Sequence, residues 1–191
     1  MFEVATAILK VPRSVQGIIA EAGCYKGGST AKLSLLARLT GRRLVAYDSF
    51  EGLPDNDESG QTSILGETAT FARGAYKGTY DEVVGNVGRC GDASVCRFAK
   101  GWFEDTMPHD SEPVVVAFVD VDLTTSTRTC LKYLFPRLAR GGVLFSQDGH
   151  LPMVIDVLDD DAFWEREMGR AKPPMVGLRT RKLVQIRNDS R

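Results

Sequence analysis

The run Pro113-Val114-Val115-Val116-Ala117-Phe118-Val119-Asp120 limits what this chain can fold into more than any other stretch. Its interior has no polar alternation, so both faces of the strand it forms must be covered, as in the middle of a parallel sheet with helices above and below. The surrounding sequence fits that demand. Gly17-Ile18-Ile19-Ala20-Glu21-Ala22-Gly23 reads as a short buried strand ending in a glycine turn. Ser29 or Thr30 is expected to cap a helix with apolar Ala31, Leu33, Leu35, Leu36 and Leu39, closed by Gly41. Leu44-Val45-Ala46-Tyr47-Asp48 is the second strand, and Thr79-Tyr80-Asp81-Glu82 is a capping box opening a helix toward Cys90. Val95-Cys96-Arg97-Phe98-Ala99 reads as a third strand.

Beyond the central strand, a helix from about Ser126 carries Leu131, Leu134, Phe135 and Leu138, and Pro136 should kink or end it. Gly141-Gly142 marks the exit, and Val143-Leu144-Phe145-Ser146 is the fifth strand. Residues 153–168 look helical, and residues 175–178 and 183–186 read as a closing antiparallel pair. This alternation predicts an α/β fold: a doubly wound, mostly parallel seven-stranded sheet with helices on both faces and an antiparallel last strand. At 191 residues the chain suits one core, so residues 1–191 are expected to form a single domain. Residues 50–79 have weak periodicity and glycines at Gly52, Gly60, Gly66, Gly74 and Gly78, with Phe71 and Tyr76 interleaved. A stretch of that length inside a compact domain is expected to be a lid or substrate loop.

Composition narrows the partners. Basic side chains number 24 and acidic ones 25, for a net charge of −1, so nothing favours nucleic acid or an anionic bilayer. No apolar stretch is long enough to span a membrane, and Glu3 and Lys10 interrupt the first residues where a signal peptide needs an apolar core. A cytoplasmic location is expected. Cys24, Cys90, Cys96 and Cys130 lack C-x-x-C spacing and are read as buried free thiols.

Ligands of doubly wound sheets sit beyond the carboxyl ends of the strands near the switch point, here residues 21–29, Asp48, residues 100–102 and Asp120. In Glu21-Ala22-Gly23-Cys24-Tyr25-Lys26-Gly27-Gly28-Ser29, the glycines allow a tight turn and close backbone approach. Glu21 stands where a dinucleotide fingerprint has its first glycine, and a carboxylate there disfavours a pyrophosphate and favours a cationic ligand. Asp48, at the end of the second strand, is placed to accept both ribose hydroxyls, and Trp102 offers a face for adenine.

Four stretches then resemble the macrocin O-methyltransferase family: residues 21–29; Asp48-Ser49-Phe50-Glu51-Gly52-Leu53-Pro54; Gly101-Trp102-Phe103-Glu104-Asp105-Thr106-Met107-Pro108; and Asp120-Val121-Asp122-Leu123 followed by Ser126-Thr127. Leu134-Phe135-Pro136-Arg137-Leu138 and Gly141-Gly142 extend the match over most of the chain. The resemblance implies S-adenosylmethionine as methyl donor, with Glu21, Gly23, Tyr25, Gly28, Ser29, Asp48, Ser49, Gly101, Trp102 and Asp120 around it. A small-molecule hydroxyl, of a sugar or a phenol of a natural product, is the implied acceptor. Magnesium is implied as well, with Asp120, Gln147 and Asp148 as its shell and Asp122 as general base; His150 is a further catalytic candidate. The sequence departs from the family where an Asp-Asp pair is expected and Gln147-Asp148 stands, which lowers the charge of a metal site and weakens binding. It also carries Thr124 and Thr125 after Asp-x-Asp-Leu, and Gly149-His150 where an aromatic is usual. The family's N-terminal helical arm has no counterpart before the first core helix expected here. His109 reads as a surface turn.

Two rivals share these features. A nicotinamide-dependent oxidoreductase is disfavoured by Glu21, and a non-catalytic cofactor-binding module is suggested by Gln147 and the short N-terminal region. A homodimer is compatible with the pattern, since a neighbour could complete an open pocket, but nothing requires it.

Overall fold

A computed structural model of the chain describes residues 1–58 and 60–188. In chain order the elements are α1 (Phe2–Lys10), β1 (Ile18–Ala22), α2 (Gly28–Thr40), β2 (Leu44–Asp48), β3 (Gln61–Thr62), β4 (Thr68–Ala69), α3 (Tyr80–Cys90) and β5 (Cys96–Lys100). Then follow α4 (Phe103–Thr106), β6 (Val114–Val119), α5 (Thr124–Leu134), β7 (Leu138–Ser146), α6 (Pro152–Asp159), α7 (Asp161–Arg166), β8 (Met175–Val176) and β9 (Val184–Arg187). The main sheet has seven strands in the order β5-β2-β1-β6-β7-β9-β8. The first five run parallel, while β9 is antiparallel to β7 and β8 to β9. Strand β6 is buried at all six positions and sits in the middle, as its apolar run requires.

From β1 the chain winds outward through β2 to β5, then returns to β6 on the other side, so the switch point lies between β1 and β6. Side-chain alternation divides the core there. Ile19 and Phe118 face the layer of α1 and α2, packing with Val4, Ile8, Leu33 and Ala37. Ala20, Ala22, Ala117 and Val119 face the opposite layer, with Leu131 and Leu134 of α5 and Val154 and Leu158 of α6. Phe135 and Trp164 complete that layer edge to face, with centroids 5.2 Å apart.

Several local expectations hold in detail. Thr79 caps α3, its hydroxyl accepting from the Glu82 N–H at 3.3 Å. Thr79→Ala should therefore lower stability by about 1 kcal/mol and the melting temperature by a few degrees in a thermal scan. An unchanged midpoint would mean the cap is idle. Gly41 ends α2 in the left-handed conformation, and α5 gives way at Phe135 to a 3-10 turn containing Pro136.

Other expectations need correction. The α2 N-cap is Gly27, not Ser29 or Thr30, and Leu35 and Leu39 are exposed; Ala31, Leu33, Ser34 and Ala37 form the buried face instead. Gly141-Gly142 lie within β7, where the register against β6 jumps and the extra residues bulge outward. Residues 153–168 are two helices, because Asp160 breaks the first and caps the second through the Ala162 N–H. Cys24 and Cys130 are buried free thiols as expected, but Cys90 is exposed. Among the described residues no helix is long and apolar enough to cross a membrane.

Candidate functional site

A cavity of about 620 Å³ opens at the carboxyl ends of β1, β2 and β6, within the size range of small-ligand sites. One end is the β1–α2 turn, where Gly23, Cys24, Tyr25, Gly28 and Ser29 line the wall. Gly23 must be glycine twice over. Its φ is +86°, and a Cβ would stand 1.9 Å from the Asp120 carbonyl oxygen. That contact seats the turn directly against the end of β6, so the two regions singled out by sequence meet at the switch point. Asp48 locks the same turn from β2. One of its oxygens accepts from the Cys24 N–H at 2.6 Å, the other from the Phe50 N–H at 2.7 Å. A carboxylate has about four lone-pair sites, so Asp48 keeps acceptor capacity toward the cavity it lines.

The other end is acidic. Asp120, Asp122 and Asp148 line it, with His150, Leu151 and Lys182. Asp148 is buried, and its Oδ2 accepts from the Val121 and Asp122 N–H groups at 2.9 and 3.0 Å. Those bonds hold Asp122 at φ +62°, a strained conformation that a short acidic side chain tolerates. Tyr25 and Tyr76, also at positive φ, line the cavity too, so three of the five such non-glycine residues described border this one site. Burial, then the charge of Asp148, pushes the Asp120 and Asp122 carboxyls up, and Asp120 and Asp148 lie close enough to share a proton. His150 is driven the other way, held below its ordinary value by burial and by the Lys182 charge, so its imidazole is neutral at pH 7.

Residues 50–79 form one side of the cavity through Gly52, Leu53, Pro54, Ser63, Glu67, Thr68, Ala69 and Tyr76. The segment is tied down. Leu53 and the residues at 74–75 exchange backbone hydrogen bonds at 2.9 Å, and the Ile64 N–H donates to the His150 carbonyl at 2.9 Å. Glu58 Oε1 accepts from both the N–H and the hydroxyl of Thr124, at 2.9 and 2.6 Å. At its far end, a Cβ on Gly78 would stand 1.9 Å from the Tyr25 carbonyl oxygen, so the segment closes onto the glycine turn.

Of the expected site residues, Gly23, Tyr25, Gly28, Ser29, Asp48, Ser49, Trp102, Asp120, Asp122, Asp148 and His150 all line this cavity. Glu21, Gly101 and Gln147 do not. Glu21 follows Ile19 onto the strand face covered by α2, so its carboxyl lies buried beneath the glycine turn. Burial raises it from 4.5 to about 7, and Asp48 adds to the rise. The Ser29 and Thr30 hydroxyls moderate this, yet neither Glu21 oxygen has a well-formed hydrogen bond among the described residues. Gly101 sits behind Trp102, its N–H donating to the Asp48 carbonyl at 3.0 Å. Gln147 is half-buried beside β6, its N–H bonded to the Val119 carbonyl. Of the expected magnesium shell, Asp120 and Asp148 meet at the acidic end while Gln147 does not line the cavity, and no group of three His, Cys, Asp or Glu side chains among the described residues is arranged to hold a metal ion. Lys182 and Tyr76 were not among the expected site residues. Tyr76 was visible only as an aromatic in a glycine-rich loop, and no local signal marks Lys182.

The profile of the family described as Macrocin-O-methyltransferase (TylF) matches residues 2–161. A curated relative from Streptomyces olivaceus, "8-demethyl-8-(2,3-dimethoxy-alpha-L-rhamnosyl)-tetracenomycin-C 4'-O-methyltransferase", is 32% identical over 152 residues, 76% of this chain and 58% of its own length. "Demethyldecarbamoylnovobiocin O-methyltransferase" from Streptomyces niveus is 29% identical over 157 residues, 78% of this chain and 60% of its own. The chain thus spans under two thirds of either relative. Among solved structures, that of the O-methyltransferase NovP superposes with a TM-score of 0.77 at 24% identity, covering 99% of this chain and 79% of that one, a likeness of fold.

Proposed function

The chain belongs to the macrocin O-methyltransferase (TylF) family, and on that premise we propose that it binds S-adenosylmethionine and methylates a hydroxyl of a small molecule, a sugar or phenol of a natural product. The observation that carries this reading is the single cavity joining a nucleoside-type end, built from the glycine turn and Asp48, to an acidic end holding Asp122. Bound there, the cofactor supplies a methyl group on a positively charged sulfur. The protein's part is binding, proton transfer and exclusion of water.

Asp48 is offered as acceptor for the ribose hydroxyls, since it lines the cavity with lone pairs to spare. Gly23, Gly28, Ser29 and Tyr25 provide the close backbone wall for the amino-acid end, and Trp102 a face for the base. Glu21 acts from below the turn, where its charge favours a cationic ligand without touching it. Asp122 accepts the proton of the acceptor hydroxyl. Its raised carboxyl makes it a stronger base than an exposed aspartate, and His150, which lines the same cavity and is favoured as the neutral imidazole, can hydrogen-bond the acceptor. The segment 50–79 serves as a lid: by excluding water it favours a step in which an oxygen losing its proton and a cationic sulfur become neutral. With Gln147 outside the cavity lining and no three-residue His, Cys, Asp or Glu set among the described residues, the donors at the acidic end suit a divalent metal poorly.

Calorimetry tests the cofactor assignment. Adenosylhomocysteine should bind at sub-millimolar concentration, and Asp48→Ala should weaken it by at least about tenfold, the worth of hydrogen bonds to a charged group. A wild-type protein silent at millimolar ligand would end the proposal.

A further inference from the structure

Opposite the three carboxylates of the acidic end stands one cation. Among the described residues Lys182 is the lysine or arginine that lines the cavity, and its charge acts on Asp120, Asp122 and His150. It forms no direct ion pair among the described residues, so its ammonium is uncommitted. Its backbone, in contrast, is pinned. Ser146 pairs with Val184 in the antiparallel β7–β9 ladder, and continuing that register two residues brings Lys182 beside Asp148. There the Gly149 N–H donates to the Lys182 carbonyl at 2.9 Å. A Cβ on Gly149 would meet Val184 Cγ2 at 2.2 Å and the Lys182 carbonyl oxygen at 2.9 Å. Glycine between Asp148 and His150 is thus what lets the segment entering β9 lie against the cavity and deliver a lysine to it.

With a proton shared between Asp120 and Asp148 and Asp122 taking the proton of the acceptor, one carboxylate charge remains at this end; it repels an oxygen losing its proton there, and a positive charge must offset that. The residues present do not assemble a metal set, and a fixed ammonium can supply the charge instead. We propose that Lys182 is a catalytic residue of the methyl transfer inferred above, on which this inference rests, and that its ammonium contacts the acceptor oxygen as the charge develops, so that the chain works without a divalent metal. In the step, the hydroxyl proton passes to Asp122 and the acceptor oxygen forms the new O–C bond. The C–S bond breaks with its electron pair kept by sulfur, leaving a neutral thioether.

The test compares wild type with Lys182→Met and Lys182→Arg, substitutions at an exposed side chain that should leave the fold intact. Turnover of a hydroxyl acceptor, adenosylhomocysteine calorimetry and manganese titration followed by electron paramagnetic resonance are the three measurements. Lys182→Met should lower kcat on the order of 10²-fold, the usual loss of one oxyanion partner, with adenosylhomocysteine affinity unchanged and Lys182→Arg recovering part of the loss. Wild type should keep its turnover in chelator and bind manganese no tighter than millimolar. Wild-type kcat in Lys182→Met, or micromolar manganese binding by wild type, would overturn the assignment. Failure of wild type to bind adenosylhomocysteine would instead remove the transferase reading and this inference with it.

Discussion

Asp122→Asn should lower turnover by about 10³-fold, the worth of a general base, while adenosylhomocysteine affinity stays within about twofold of wild type. Asparagine has the shape of aspartate and tolerates the same left-handed backbone, so the bonds from Val121 and Asp122 N–H to Asp148 can persist. It cannot take a proton. Because burial and Asp148 raise the Asp122 carboxyl, its basic form appears only as pH climbs past the ordinary aspartate range. Wild-type kcat should therefore rise with pH through that displaced value and then level, and the variant should lose this limb. Product formation followed by chromatography across pH provides both readings. A variant within about tenfold of wild type would move the base to another residue, with His150 the first alternative.

Glu21→Gln should stabilise the ligand-free protein at pH 8 by roughly 3 kcal/mol, the equivalent of raising a carboxyl from 4.5 to about 7. The native state holds its proton more tightly than the unfolded chain, so the Glu21 contribution is fully present below pH 4.5. It is lost as pH rises to about 7, above which the buried carboxylate stands ionised with neither oxygen in a well-formed hydrogen bond among the described residues. Wild type should then melt lower at pH 8 than at pH 5, and the amide variant should remove much of that difference. The same variant should weaken adenosylhomocysteine binding, because the charge that burdens folding is the one that favours a cationic ligand. Parallel denaturant titrations of both proteins at the two pH values measure the first effect. Equal stabilities at pH 8 would show that burial does not hold the Glu21 carboxyl above its ordinary value.

Much of the molecule was legible from residue order because it depends on short-range rules. The six buried positions of β6 follow from unbroken apolarity, and Asp48 and Asp120 lie at strand ends, which is where doubly wound sheets bind ligands. The Thr79 cap needs only the spacing to Glu82. Reading failed where neighbours decide. Leu35 and Leu39 fit an apolar stripe, but α3 and the sheet cover a different side of α2. The residues at 153–168 carry one continuous apolar pattern, yet Asp160 found better use as a cap.

The same division runs through the site. From the amino acids alone came the element order, the glycine turn, the acidic strand ends and the family, since each is written in contiguous residues. Folding in three dimensions decided which of these face the cavity. Strand alternation turns Glu21 beneath α2, Gln147 just past β7 stays out of the cavity lining, and antiparallel pairing of β9 brings Lys182 to the acidic end from more than sixty positions beyond Asp120. The physical reason is that a side chain's direction is set by the element it belongs to, whereas its neighbours are set by sheet register and packing, which no local pattern encodes.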